Sequence, residues 1–180
     1  MIHDAVINDF ALFDENVLQK YPDTCAIKSQ QIILNSKDVD VSEETLRNDA
    51  ILNGWYESGK GTPMECTGFL LERYGVSVYK IQGASLLDLS KELVQGHGVV
   101  VGVDSGELWN PGIEESFEDI MQGGHADHAL IVNGIGVDPY TSEAYVNLTD
   151  SGTGYVNEAY PVNQFLDAWA DSGNYMLTTF

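Results

Sequence analysis

Apolar and polar positions change their period partway along this chain. Residues 1–22 carry apolar side chains, among them Phe10, Leu12 and Phe13, at no regular spacing and read as a lead-in. From there to residue 75 apolar positions recur at helical spacing in three short blocks. The segment DTCAIKSQQIILN predicts a helix over residues 24–35, with Ala26, Ile27, Ile33 and Leu34 on its apolar side and Asp23 or Thr24 placed to cap its free amides. A second helix is expected over residues 42–53. Ser42-Glu43-Glu44 sets acid in its first turn, where the helix dipole favours it, and Gly54 suits a left-handed end. A third is expected over residues 63–74, with Thr62 as cap, Pro63 in the first position and Gly75 as terminator.

Beyond residue 75 the period shortens. Residues 76–81 alternate as a strand does, residues 85–95 return to helical spacing and stop at Gly96, and the β-branched run over 98–103 fits a buried strand. The acidic stretch over 107–122 is expected to be loop with a short helix. Strands are predicted over 128–134 and 144–149, separated by the turn-rich residues 137–142, then an amphipathic helix over 161–171 carrying Phe165, Leu166 and Trp169, and a last strand over 174–180. No internal repeat, low-complexity tract or linker interrupts the pattern. Helices first and mostly antiparallel strands later predict an α+β fold, expected as a single domain over 1–180.

Composition narrows the function classes. A chain of 180 residues and 19.7 kDa buries roughly 70% of its unfolded surface, enough for a core without staples. Eight Lys and Arg against 28 Asp and Glu give a net charge of −20. A field of that sign repels phosphate backbones and anionic membranes, which argues against nucleic acid and suits a basic partner. No apolar run approaches the roughly 20 residues of a membrane span. Met1-Ile2-His3-Asp4 opens no basic-then-apolar export signal, so a cytoplasmic location, or export by a route without such a signal, is expected. The two cysteines, Cys25 and Cys66, are too few for a disulfide scaffold.

Cys25 is the first candidate for chemistry. At a helix start, unpaired backbone N–H groups and the dipole stabilise a thiolate. Such a nucleophile needs a base. His3 lies in the terminal residues, and His97, between two glycines at a strand start, reads as structural and backbone-bonded. His125 and His128 sit together in GGHADHALIV; His128, at a strand mouth, is the better candidate and His125 the reserve. Treating the two strands after it as a hairpin centred near residue 139 pairs position 128 with Asp150, while Asp138 falls at the far tip, roughly 33 Å along the strand. The amide of Cys25 and the side-chain amide of Gln19, six residues upstream, could serve a developing oxyanion. Cys66 reads as a core residue of the third helix. Glycine-rich stretches at 96–102 and 152–154 lack the spacing of a phosphate loop, ELWNPGIEESFEDIMQ has no calcium-loop pattern, and His125, Asp127 and His128 lack further zinc ligands. No cofactor or metal is expected.

The order Gln19, Cys25, His128, Asp150 resembles papain-like cysteine peptidases, and more closely the peptidase domains that cleave double-glycine leader peptides of bacteriocins and their stand-alone bacterial relatives. The likeness is carried by YPDTCAIKSQQIIL, GTPMECTGFLLERYG, GHGVVVGVDSGELW, DHALIVNGI and DSGTG…YPVNQFLDAWADSGNYMLTT, covering most of the chain from about residue 19. The resemblance implies a papain-like fold: a helical lobe, about 19–75, with the cysteine at a helix start, packed on a mostly antiparallel sheet lobe, about 76–180. It implies that Gln19, Cys25, His128 and Asp150 act as oxyanion donor, nucleophile, base and orienting acid of a peptide-cleaving thiol hydrolase. The same groups could serve a deamidase or acyltransferase, and a catalytically retired relative could bind a basic partner through the acidic face. The chain departs from the pattern in two ways. It has no membrane span or ATP-binding loop to suggest a joined transporter, and Ser151 stands where many relatives have proline.

Overall fold

The structure, a computed structural model, describes residues 12–109 and 126–180. In chain order the elements are β1 (Leu12–Phe13), α1 (Cys25–Ser36), α2 (Glu43–Leu52), a 3-10 turn (Met64–Cys66), α3 (Phe69–Arg73), β2 (Val78–Ile81), α4 (Leu86–Val94), β3 (Val99–Val103), α5 (Ser105–Trp109), β4 (His128–Val137), β5 (Ala144–Asp150), β6 (Tyr155–Pro161), α6 (Val162–Ala170) and β7 (Met176–Thr179). The strands form one seven-stranded sheet in the order β1-β6-β5-β4-β3-β7-β2, with every pairing antiparallel. This is the α+β architecture expected from the pattern.

The sheet is covered on both faces, which explains the continuous apolar run of β3. Val100 packs with Ala129, Ile131 and Leu177 against Ile27, Ile33 and Leu34 of α1 and Leu46 of α2. Its neighbours Val99, Val101 and Val103 point the other way, to Leu130, Leu148, Phe165 and Trp169. A strand buried on both sides has no polar face to alternate with, even in an antiparallel sheet.

The third predicted helix is not continuous. Residues 64–66 make a single 3-10 turn, Thr67 is extended, and α3 starts only at Phe69. The break falls at Gly68, whose φ of 101° is left-handed and whose missing Cβ would lie 2.4 Å from Leu177 Cδ1 and 3.2 Å from Val78 Cγ2. Close packing on β7 and β2 thus overrides local helix preference. The freed amides find a partner in Gln30 of α1, fully buried, whose Oε1 accepts from the N–H groups of Gly68 (3.0 Å) and Leu71 (3.4 Å). Cys66 consequently lies in the 3-10 turn, half-buried, and not in an amphipathic helix.

Strand β6 has no counterpart in the sequence pattern. Most of its side chains are at least partly exposed, so no apolar alternation marks it, and it is held by pairing with β5 and with the two residues of β1. A bulge interrupts the β5–β6 register between Leu148 and Asp150, and Asn157, at φ 58°, lies on the β6 side of it.

Gly68→Ala is expected to lower the unfolding free energy by about 2 kcal/mol or more, because left-handed strain and overpacking add. Gly54→Ala, with φ of 71° and nothing within 4 Å of the added Cβ, meets the strain alone. Urea denaturation of the two variants checks this, and equal losses would contradict the packing account.

Candidate active site

Cys25 is the first residue of α1, but neither expected cap serves that helix. The Asp23 carboxylate is taken by the Tyr56 hydroxyl (2.8 Å) and the Gly59 N–H (2.5 Å), which ties the chain before Cys25 to the loop after α2. Thr24 donates its hydroxyl to the Tyr21 carbonyl (3.0 Å) and to Glu43 Oε1 (2.7 Å). Glu43, 1% exposed, also accepts from the Lys20 N–H at 3.1 Å and lies 3.7 Å from Lys28 Nζ. Burial pulls the Lys28 pKa down against the opposing pull of Glu43. The residues leading into Cys25 are therefore fixed by buried charges on α1 and α2. The first turn of α1 carries no acidic side chain, so its free amides keep their positive end directed at the cysteine.

His128 opens β4 and Asp150 closes β5. His128 Nε2–H donates to Asp150 Oδ1 at 2.7 Å. The strand register differs from the expected one: Ile131 faces Thr149 and Val132 faces Leu148, so the position across from His128 falls at Gly152. The turn is centred between Tyr140 and Thr141, not on residue 139, and Asn133 adds a bulge. Asp150 is thus the diagonal neighbour of His128, a separation that a histidine and an aspartate side chain can bridge. The Gly152 main chain comes so close that a Cβ would lie 3.2 Å from both Asp150 Oδ1 and His128 Cε1; its N–H donates to Asp150 Oδ1 at 2.7 Å.

The His128 imidazole and the Cys25 side chain line the same cleft and interact electrostatically. Burial pushes the His128 pKa down, but the hydrogen bond to Asp150 and interactions with Cys25 and Asp150 outweigh it and hold the pKa up at about 10. Burial tends to raise the Asp150 pKa, and the bonds from His128, Gly152 and Trp109 more than offset it, leaving the carboxyl below its ordinary range.

Trp109, in the acidic stretch expected to be loop with a short helix, is a site residue that sequence reasoning passed over. Its indole Nε1–H donates to Asp150 Oδ2 at 3.0 Å, and its ring meets His128 edge-on at 5.2 Å. Asp127 accepts from the N–H and hydroxyl of Ser105 at 2.9 Å each, so the residue next to His128 also fixes the start of α5. A lone tryptophan in a polar stretch was the available signal, and nothing in its spacing tied it to Asp150.

Gln19 bridges the two strand-borne and helix-borne parts. Its main-chain N–H donates to the Ser151 carbonyl (2.8 Å), its Oε1 accepts from the Ser151 hydroxyl (2.9 Å), and its Nε2 donates to the Tyr21 carbonyl (2.7 Å). Ser151, the departure from proline, thereby has a partner that proline could not supply. His97 bonds the Glu92 carboxylate at 2.7 Å through Nδ1, in addition to its main-chain N–H donating to the Glu92 carbonyl at 3.2 Å. His125 lies outside the described residues. Cys25 and His128 line a cleft of about 440 Å³, whose other walls include residues 59–62 and 64, 100–102 and 126–129. Gln19 does not line it.

A cysteine at a helix start facing a histidine and an aspartate on adjacent strands of an antiparallel sheet is the layout of the papain-like fold. A family model described as Peptidase_C39 like family matches residues 7–177, and the chain belongs to that family. It is similar to a putative C39-like peptidase from Bacillus anthracis (TM-score 0.64, 16% identity, covering 96% of this chain and 98% of that one). It is also similar to the peptidase domain of Streptococcus ComA, a bifunctional ABC transporter (TM-score 0.60, 13% identity, 91% and 93%). A third similar structure is a double glycine motif protease from an AMS/PCAT transporter (TM-score 0.56, 14% identity, 90% and 88%). Uncharacterised proteins of Mycobacterium tuberculosis and Mycobacterium bovis are 30% identical over 132 residues, 68% of this chain. The chain spans about half the length of these curated relatives, 54%. Family and fold together support a peptidase-type function. Among the described residues no helix is long and apolar enough to cross a membrane.

The raised His128 pKa has a consequence for stability. A group held above its unfolded value contributes in full below that value, 6.5, and loses the contribution as the pH climbs toward about 10. Asp150, held low, acts in the opposite sense and loses its contribution only as the pH falls through the carboxylate range. The melting-temperature gap between wild type and Asp150→Asn is therefore expected to be widest in mildly acidic buffer and to narrow toward pH 10. A gap constant across that range would contradict the pairing.

Proposed function

We propose that the protein is a cysteine peptidase, residues 1–180 serving as one papain-like domain, with Cys25 as nucleophile. The reading rests on one imidazole, His128, which is bonded to Asp150, lines the same cleft as Cys25 and has its pKa raised by both. Asp150 keeps the Nε2–H tautomer and leaves Nδ1 for the cysteine. Cys25 Sγ attacks the carbonyl carbon of the scissile peptide bond while His128 holds the thiol proton. The Cys25 N–H stabilises the oxyanion, and Gln19 supplies the second donor once its side-chain amide, which otherwise bonds the Tyr21 carbonyl, turns toward Cys25. His128 then gives its proton to the departing amine nitrogen as the C–N bond breaks, leaving a thioester on Cys25. Water, deprotonated by His128, attacks that thioester; the C–S bond breaks, the acid product leaves, and the proton returns to the cysteine–histidine pair.

A peptide or protein is the proposed substrate. One of the similar structures holds a leader peptide, and a net charge of −20 favours substrates that bring positive charge. The test is mass spectrometry of peptide mixtures incubated with wild type and variants. Fragments are expected with wild type and none with Cys25→Ala. His128→Gln is expected to lower kcat by roughly 10²–10⁴-fold, and Gln19→Ala to lower kcat by about 10²–10³-fold with little change in KM. Glutamine converted to glutamate without chain cleavage would reassign the same groups to a deamidase. Turnover unchanged in Cys25→Ala would end the proposal.

A further inference from the structure

Ser151 follows Asp150 directly, and its hydroxyl reaches the residues before Cys25, where Gln19 Oε1 accepts from it at 2.9 Å. Ser151 is 1% exposed, and among the described residues its hydroxyl has no other partner. The other end of the same amide is held less exclusively. Nε2 donates to the Tyr21 carbonyl at 2.7 Å, and that carbonyl has a second donor in the Thr24 hydroxyl at 3.0 Å, whose proton Glu43 Oε1 shares. A carbonyl only accepts, so the amide has one sense: Nε2 toward Tyr21 and Oε1 toward Ser151. Flipping it would set two acceptors against each other at Tyr21. Ser151 itself is anchored on both sides. The Gln19 main-chain N–H donates to its carbonyl at 2.8 Å, and the neighbouring Asp150 carboxylate is held by three donors.

We propose that the Ser151 hydroxyl is the pivot of the oxyanion donor: it keeps hold of Gln19 Oε1 while Nε2 exchanges the Tyr21 carbonyl for the oxygen that gains charge beside Cys25. The proposal rests on the reading of Gln19 as second donor and adds the residue that positions it. The two ends of the amide differ in what they leave behind. If Oε1 let go, a buried hydroxyl would be stranded, which is the costly outcome. When Nε2 lets go, the Tyr21 carbonyl keeps the Thr24 hydroxyl. The end that moves is therefore the end that can donate. A hydroxyl bonded to Oε1 also draws electron density through the amide, which makes its N–H the stronger donor. Ser151 does not line the cleft and acts through Gln19, so it is a positioning residue. The segment that carries the acid orienting His128 thereby orients the oxyanion donor as well.

The test compares two reactions of Cys25 in the full chain. Hydrolysis of N-benzyloxycarbonylglycine p-nitrophenyl ester passes through a tetrahedral oxyanion, whereas alkylation by iodoacetamide displaces iodide at carbon and forms none. Ser151→Ala is expected to lower kcat on the ester about tenfold, with KM and the alkylation rate of Cys25 unchanged. Ser151→Thr, which keeps the hydroxyl, is expected to retain the wild-type kcat. In a Gln19→Ala background Ser151→Ala is expected to cost nothing further. Should Ser151→Ala fail to fold, Ser151→Cys, whose thiol is a weak donor, takes its place with a smaller loss expected. An unchanged kcat in these variants, or a loss that repeats in full in the Gln19→Ala background, would overturn the pivot while leaving Cys25 and Gln19 in their roles. A fall in alkylation equal to the fall in kcat would overturn it too, since Ser151 would then act on the fold and not on the donor. Gln19→Ala with wild-type turnover of the ester would remove the donor reading, and a Cys25 inert to both reagents the nucleophile reading, and this inference with either.

Discussion

Two groups that ionise, His128 and Asp150, lie 2.7 Å apart with their side chains 8% and 1% exposed, and much of the structure answers to that pair. Burying a charge costs several kcal/mol unless partners replace water. Asp150 receives three donors, from His128, Gly152 and Trp109, and each comes from a different segment. Trp109 requires α5, α5 requires Asp127, and Gly152 requires a residue without a side chain at the point of closest approach. Bulges on either side of β5 set where its last residue points. The pair is affordable only because β4, β5 and α5 converge on it.

The other half of the site is fixed independently. Glu43 draws Lys20, Thr24 and Lys28 together just before and just after Cys25, and Asp23 draws in the loop that forms one wall of the cleft. Gln19 and Ser151 then join the two halves, one residue on the approach to Cys25 and the other directly after Asp150.

Elements with an apolar stripe, an alternation or a continuous apolar run were legible in the sequence: α1, α2, α4, α6 and strands β2, β3, β4, β5 and β7 fall where the pattern put them, within a few residues. Tertiary contact decided the rest. Gly68 breaks the third helix because β7 occupies the space its Cβ would need, and β6 is a strand because of its neighbours, with no apolar face of its own. Asp150 was reachable from hairpin logic even though the turn lies further along than expected, because a diagonal neighbour is still within side-chain reach. The cap at Cys25 was not: Asp23 and Thr24 were the right residue types, and longer-range partners claimed both. Trp109 gave no periodic signal at all.

Everything proposed for this chain depends on Cys25 and His128 acting as one unit. Cys66, half-buried and with its thiol pKa raised by burial and by Glu65, is an internal reference in the same molecule. The most direct measurement is the rate of iodoacetamide labelling at each cysteine across neutral pH, read by peptide mass spectrometry in wild type and in His128→Ala. The account expects Cys25 to label much faster than Cys66, and the advantage to vanish in His128→Ala. Equal labelling of the two cysteines in wild type, or a fast Cys25 that ignores the loss of His128, would contradict it.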